Sequence, residues 1–150
     1  MAVIPGHIYR RIEAMLHRRG TFAEHAREQL RAAEARATDI SQHIDGERVQ
    51  TSGAGDRLER GALGVIAARG AVEKAEKWEA VFARCDEYFA GRDEAKAARL
   101  LYREHLNQKQ VAARMYVDRQ TVRRWRDAYV TYCAMLALDA DLIRMGGQDE

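Results

Sequence analysis

Residues 97–131 read AARLLYREHLNQKQVAARMYVDRQTVRRWRDAYVT and contain the signals for two consecutive helices of unequal length. Asn107 is a residue type that favours a helix N-cap, and Gln110 lies three positions later, at the spacing of a capping box. Asp118 can cap the following helix in the same way. Two short-spaced caps, each followed by apolar residues at helical intervals, predict a helix-turn-helix.

The apolar residues of the second helix indicate which of its faces is buried. At 100° per residue, Val122, Trp125 and Tyr129 share one side. The side chains predicted to point away from them are Gln120, Arg123, Arg124 and Asp127. Those predicted to lie on the flanks are Arg119 and Thr121. The second helix is therefore expected to present a basic face near its N-terminus.

This arrangement suits DNA recognition, because the N-terminal part of such a helix enters the major groove in DNA-binding domains. Arginine donates two hydrogen bonds to guanine and glutamine pairs with adenine. The predicted base-reading residues are Gln120, Arg123 and Arg124. The residues predicted to bind phosphates, which fix register without reading sequence, are Lys109, Arg119 and Thr121. Arg126 lies nearer the core edge and is compatible with either role.

The distribution of charge separates this segment from the rest of the chain. The whole chain carries a net charge of only +2. Residues 95–131 contain nine basic and three acidic side chains, a net charge of +6, whereas residues 1–94 sum to −1 and residues 132–150 to −3. A basic excess confined to one segment is expected of a local anion-binding face. The alternative is a three-helix bundle whose basic face is merely solvated.

Two long apolar stripes precede the basic segment. The first consists of Ala23, Ala26, Leu30, Ala33, Ala37, Ile40 and Ile44. The second consists of Val65, Ala68, Val72, Ala75, Phe82, Cys85 and Phe89. Between them, ERVQTSGAGD at residues 47–56 lacks the Gly-Lys-Ser/Thr ending of a phosphate-binding loop. It predicts instead the connection of an antiparallel helical hairpin, with Asp56 capping the second helix.

Composition supports an all-α fold. The chain of 150 residues contains one proline, Pro5, and is rich in alanine, arginine, glutamate and leucine. We predict a short N-terminal helix in residues 1–20, a helical hairpin in residues 21–92 that is available for oligomerisation, and a helix-turn-helix domain in residues 93–145. The helical segments predicted within that last domain are 93–105, 108–115 and 119–138.

The C-terminal motif resembles the region-4-type helix-turn-helix of sigma factors, and more closely that of ArpU-like phage transcriptional regulators. The residues that carry the resemblance are Leu101-Tyr102, Asn107, Val111-Ala112, Met115, Asp118 and Thr121-Val122-Arg123-Arg124. Upstream, LRAAEARATDIS and ERVQTSGAGDR are similar to the helix and loop of a related group of phage proteins, so the resemblance covers residues 22–135. His105 and Tyr116 stand where the pattern usually has glycine. We therefore expect either a left-handed Tyr116 or a rebuilt turn.

The resemblance implies a phage- or prophage-encoded regulator of late genes that binds double-stranded DNA through sigma-like contacts. The DNA contacts that it implies are Arg119, Gln120, Thr121, Arg123 and Arg124. RNA polymerase is a further partner to expect, and a homo-oligomer, preferably a dimer, because two half-sites add recognition. Two alternatives remain open: a packaging factor resembling a small terminase subunit, and an adaptor that contacts RNA polymerase without reading DNA.

Other classes of function are not indicated. The five histidines lack metal-binding spacing, and Cys85 and Cys133 fall on apolar helical positions, as inert core thiols do. No nucleophile elbow is present, so we expect no catalytic residue, metal or cofactor. No apolar run approaches the roughly 20 residues needed to cross a bilayer. The N-terminus becomes charged too early for a signal peptide, which favours the cytoplasm of a bacterial host.

Overall fold

The computed structural model describes residues 4–46 and 52–146, which form six α-helices and one π-helical segment. In chain order the elements are α1 (Gly6–His17), α2 (Phe22–Gly46), α3 (Ser52–Tyr88), α4 (Asp93–Ala98), the π-helical segment (Arg99–Arg103), α5 (Gln108–Met115) and α6 (Arg119–Asp139). No strand occurs among the described residues. The prediction of an all-α fold is therefore confirmed.

The start of α3 corrects one prediction. The helix begins at Ser52, so Asp56 lies inside it and does not cap it. A glycine within a helix costs only about 1 kcal/mol relative to alanine. Propagation of a helix that is already nucleated can offset this cost, and α3 accordingly runs through Gly53 and Gly55. The remainder of the predicted connection, residues 47–51, lies outside the described residues.

The chain divides into two compact units, and the division falls within α3. The larger unit comprises Met1–Arg19 and Lys77–Glu150, and the smaller unit comprises Gly20–Glu76. The boundary differs from the predicted one near residue 92, because the last part of α3 belongs to the larger unit. Its bulky residues Trp78 and Phe82 are 2% and 0% exposed. The apolar stripe before them, Val65, Ala68, Val72 and Ala75, contains only valine and alanine, which contribute less buried surface than Trp or Phe.

In the smaller unit, α2 and the first part of α3 run in opposite directions. Ion pairs join Arg27 to Glu76 at 3.9 Å and Glu34 to Arg69 at 3.8 Å, so the contacts ascend one helix as they descend the other. A Cβ placed on Gly61 would lie 3.6 Å from the Cα of Ala37. The two backbones are therefore close at this point, as small residues permit.

The larger unit has a continuous core with α6 at its centre. Helices α1, α4 and α5 all pack on α6. From α1 the core receives Ile8, Ile12 and Leu16, all at most 1% exposed. Cys85 and Cys133 are fully buried free thiols, which confirms their prediction as core residues. Burial raises the pKa of the Cys133 thiol well above its ordinary range.

Candidate nucleic-acid interface

The first helix of the predicted motif begins with the expected reciprocal cap. The backbone N–H of Gln110 donates to Oδ1 of Asn107 over 2.8 Å, and the backbone N–H of Asn107 donates to Oε1 of Gln110 over 3.0 Å. Val111 and Ala112 are then buried against the unit. Because both ends of the capping box are satisfied locally, the two-turn helix α5 has a defined start.

The connection after α5 depends on a left-handed tyrosine. Tyr116 has φ 57° and ψ 44°, and Val117 donates its N–H to the carbonyl of Ala112 over 3.0 Å. His105, before α5, is also left-handed, with φ 55°. The turn therefore keeps its left-handed geometry without glycine. This conformation costs roughly 1–2 kcal/mol for an L-residue, although the Tyr116 side chain is 95% exposed and meets no steric obstacle.

The second helix begins at the cap predicted for Asp118. Oδ1 of Asp118 accepts hydrogen bonds from the N–H and from the hydroxyl of Thr121, both over 2.7 Å. These bonds hold the pKa of the Asp118 carboxyl below its ordinary value. The Thr121 hydroxyl oxygen also accepts a hydrogen bond from Arg124 over 3.3 Å. The Asp118 cap therefore starts α6 and, through Thr121, also contacts the side chain of Arg124.

The faces of α6 follow the periodicity of its sequence with one exception. Val122 and Tyr129 are at most 1% exposed, and Trp125 is half-buried. The side chains that lie exposed are Lys109, Arg119, Gln120, Arg123 and Arg124, and Thr121 is half-buried. The residues predicted to read bases and those predicted to bind phosphates are thus accessible on the surface of the larger unit.

Asp127 is the exception, because it does not point away from the protein. Its Oδ1 accepts a hydrogen bond of 2.6 Å from the hydroxyl of Tyr9. The guanidinium of Arg126 lies 5.5 Å from the centre of the Tyr9 ring and 3.4 Å from Asp127 Oδ1. Burial and this hydrogen bond raise the pKa of Tyr9. The sequence of α6 alone did not reveal that α1 covers this side.

Four of the seven predicted site residues line one open cleft of about 680 Å³. They are Lys109, Arg119, Arg123 and Arg126, next to the capped start of α5. The opposite wall contains Glu13, His17 and Tyr102, whose hydroxyl donates to Glu13 over 2.8 Å. Gln120, Thr121 and Arg124 lie outside this cleft. The predicted set therefore divides into a cleft group and an outer group on α6, and Arg123 is adjacent to both.

Sequence reasoning missed the wall contributed by α1. Glu13 and His17 precede Tyr102 by more than 80 positions, and neither belongs to a recognisable motif. His17 contacts the rings of Tyr102 and His105 at centroid distances of 4.9 and 5.8 Å. The one signal in the sequence is the helical spacing of Ile8, Ile12 and Leu16, the three residues of α1 that are buried, which indicates that the helix packs on another element.

Residues 4–46 and 52–146 contain neither a metal-binding cluster nor a membrane-spanning helix. No cluster of three or more His, Cys, Asp or Glu side chains in this part of the chain is arranged to hold a metal ion. None of its helices combines the length and the apolar character that crossing a membrane requires. The basic cleft and the outer face of α6 are therefore the candidate site.

Comparisons with protein-family models, curated proteins and solved structures found no match to this chain.

Proposed function

We propose that this protein binds double-stranded DNA in a sequence-specific manner and regulates transcription, with α6 as the helix that enters the major groove. One observation carries the proposal: Gln120, Arg123 and Arg124 are exposed on the first turns of a capped helix whose Val122 and Tyr129 are buried. A helix held in this way presents bidentate donors without an ordering cost for its backbone. This is the requirement for reading base edges.

The cleft group supplies the sequence-independent part of the proposed binding. Lys109, Arg119 and Arg126 lie beside the N-terminus of α5, where the first N–H groups of a helix also favour negative charge. Phosphate contacts of this kind set the register and orientation of a duplex. We assign phosphate binding to this group, base reading to Gln120 and Arg124, and either contact to Arg123.

The biological setting follows from the family resemblance and belongs to the same proposal. We propose a late-gene regulator of a phage or prophage that acts in the bacterial cytoplasm and works alongside RNA polymerase. Self-association through the smaller unit would pair two copies of α6 on two half-sites. Exposed Leu58, Leu63 and Ile66 on α3 support this part, since they are 42%, 56% and 63% exposed.

Selection from a pool of randomised duplexes, followed by affinity measurements on the selected sequence, tests the function. The double substitution Arg123→Ala and Arg124→Ala should weaken specific binding by about 1–3 kcal/mol for each base-reading contact. Arg84→Ala is the matched control, because Arg84 is an exposed arginine of the same unit that lies on α3 and does not line the basic cleft. Unchanged affinity of the double variant for its selected site would exclude this reading face.

Two outcomes of the same work would favour the alternatives. A chain that enriches no sequence and shows no salt-dependent binding to duplexes fits a protein-binding adaptor. A closed ring of many copies, seen by native mass measurement with DNA bound, fits a packaging factor. A dimer that enriches one sequence with two half-sites supports the regulator.

A further inference from the structure

The larger unit contains a second cavity, of about 310 Å³, that shares only Tyr102 with the basic cleft. Helices α1, α3, α4 and α6 and the π-helical segment all contribute to it. Five basic side chains line it: Arg19, Arg92, Lys96, Arg99 and Arg103. Its one acidic lining residue is Asp86. The cavity is therefore strongly cationic although it was not part of any sequence motif.

Asp86 neutralises only part of this charge, because it is one carboxylate among five basic side chains. Its Oδ2 lies 2.6 Å from Arg19 and 3.7 Å from Arg103. Its Oδ1 accepts a hydrogen bond from the hydroxyl of Tyr129. This one carboxylate is therefore shared by two guanidinium groups and a hydroxyl donor. Arg92, Lys96 and Arg99, the other cations of the cavity, receive no counter-charge from Asp86.

Those remaining cations are available for a ligand. Arg92 lies over the ring of Tyr88, 5.2 Å from its centroid, a contact that leaves the guanidinium edge open to acceptors. Lys96 and Arg99 are both exposed, and within the described ranges neither forms an ion pair with a carboxylate. Three donors with unused hydrogen-bonding capacity therefore surround one concave surface.

The π-helical segment explains how two of the arginines reach the same cavity. Glu104 donates its N–H to the carbonyl of Arg99 over 3.1 Å, five residues back rather than four. The widened turn buries Leu100, Leu101 and Tyr102 and directs Arg99 and Arg103 to the cavity. Single π-turns are rare and occur frequently at functional sites. The π-helical turn therefore points to a functional role of this segment whatever the number of cations nearby.

We propose that this cavity binds a small phosphate ester. Arg92, Lys96 and Arg99 hold the phosphate, and the cavity wall at Ala95 receives the organic part. Arginine forms paired hydrogen bonds to phosphate oxygens, and a dianion suits three converging cations. A volume of about 310 Å³ lies at the small end of the range for ligand pockets, roughly 300–1,000 Å³. The proposal does not depend on the DNA-binding proposal.

Amide NMR spectra of the full chain titrated with adenosine 5′-monophosphate and with inorganic phosphate, at constant ionic strength, test this site. We expect saturable shifts at millimolar concentration or below, confined to amides of residues 91–103 and their neighbours in space. Arg99→Gln and Lys96→Gln should each weaken binding about ten-fold, the loss of one charge-assisted hydrogen bond. Arg84→Gln, an exposed arginine outside the cavity, should leave the affinity unchanged.

Three results would overturn the proposal. They are the absence of saturable shifts around the cavity with both probes, shifts spread over the basic surface as a whole, and equal affinities of the native and Arg99→Gln chains. A parallel titration with a short DNA duplex shows whether the cavity binds the phosphate of a small molecule or that of the DNA backbone. If Arg99→Gln weakens only duplex binding, the cavity serves the DNA backbone and the small-ligand proposal fails. If the native chain binds the two phosphate probes but binds no duplex, the result counts against the DNA-binding proposal alone.

Discussion

The hydroxyl of Tyr9 in α1 donates a hydrogen bond of 2.6 Å to Oδ1 of Asp127 in α6, across 118 positions of sequence. Arg126 stacks on the same tyrosine ring and lies beside the same carboxylate. The N-terminal helix is thereby fastened to the helix that carries the proposed base-reading residues. The position of α6 thus depends on residues at the beginning of the chain as well as on its own turn.

Removing this hydrogen bond should lower stability without destroying the fold. Tyr9→Phe should reduce the free energy of unfolding by about 1 kcal/mol, the net value of a single hydrogen bond, because Asp127 is partly exposed and water can replace the hydroxyl. Urea unfolding measures the change. Tyr116→Phe is the control, since that ring is 95% exposed, and its hydroxyl removal should have no effect. Equal stability of both variants would show that the Tyr9 bond contributes nothing.

The left-handed tyrosine of the turn makes a second prediction. Tyr116→Gly should leave stability equal or higher, because glycine adopts φ 57° without strain and this gain offsets its larger entropy in the unfolded chain. Tyr116→Val should lower stability by about 1 kcal/mol or more, because a β-branched residue tolerates this region poorly. Thermal unfolding of the two variants ranks them. A valine variant as stable as the glycine variant would contradict the left-handed turn.

The Asp118 cap predicts a dependence on pH. Its hydrogen bonds to Thr121 lower the pKa of the folded carboxyl below the ordinary value of 3.8. The stabilisation is therefore present above the unfolded pKa and is lost as the pH falls through the folded one. Asp118→Asn keeps a capping oxygen but does not titrate. Unfolding measured between neutral pH and pH 3 should show a shallower acid loss in this variant than in the native chain, and identical profiles would contradict the prediction.

The local signals of the sequence were sufficient for α5 and for the start of α6. Capping boxes and N-caps act over three residues, so Asn107, Gln110 and Asp118 are readable without tertiary information. The sequence predicts either a left-handed Tyr116 or a rebuilt turn, and the φ of 57° shows that Tyr116 is left-handed. These features depend on neighbours in sequence.

The features that were missed depend on distant residues. The position of Asp127 beneath Tyr9 requires α1 to return to α6, which periodicity within α6 does not specify. Asp56 is predicted as a cap because its residue type favours that position, whereas the helix propagates through the glycines before it and places Asp56 inside α3. The cavity around Asp86 joins five separate elements, and no local pattern announces such a junction.

The proposed division between base reading and phosphate binding can be tested with two single variants. Gln120→Ala should cost about 1–3 kcal/mol for the preferred base pair at one position and relax specificity there. Lys109→Ala should weaken binding to all sequences about equally and reduce the salt-dependence slope by about one. Affinities for the selected site and for its single-base variants, measured at several salt concentrations, separate the two behaviours. A uniform loss for Gln120→Ala would move that residue to the phosphate group.

Self-association through the smaller unit gives the last prediction. Leu63 and Ile66 lie one turn apart on α3 and are 56% and 63% exposed, an arrangement that favours packing against another helix. The double variant Leu63→Gln and Ile66→Gln should dissociate a dimer while the fold of each chain persists, since neither side chain belongs to a buried core. Sedimentation at micromolar concentration with helical content measured in parallel checks this. The control is Met135→Gln, an exposed apolar residue of the larger unit, 51% exposed, which should leave the dimer intact. A native chain that sediments as a monomer would exclude the interface, and a dimer retained by the double variant would place it elsewhere.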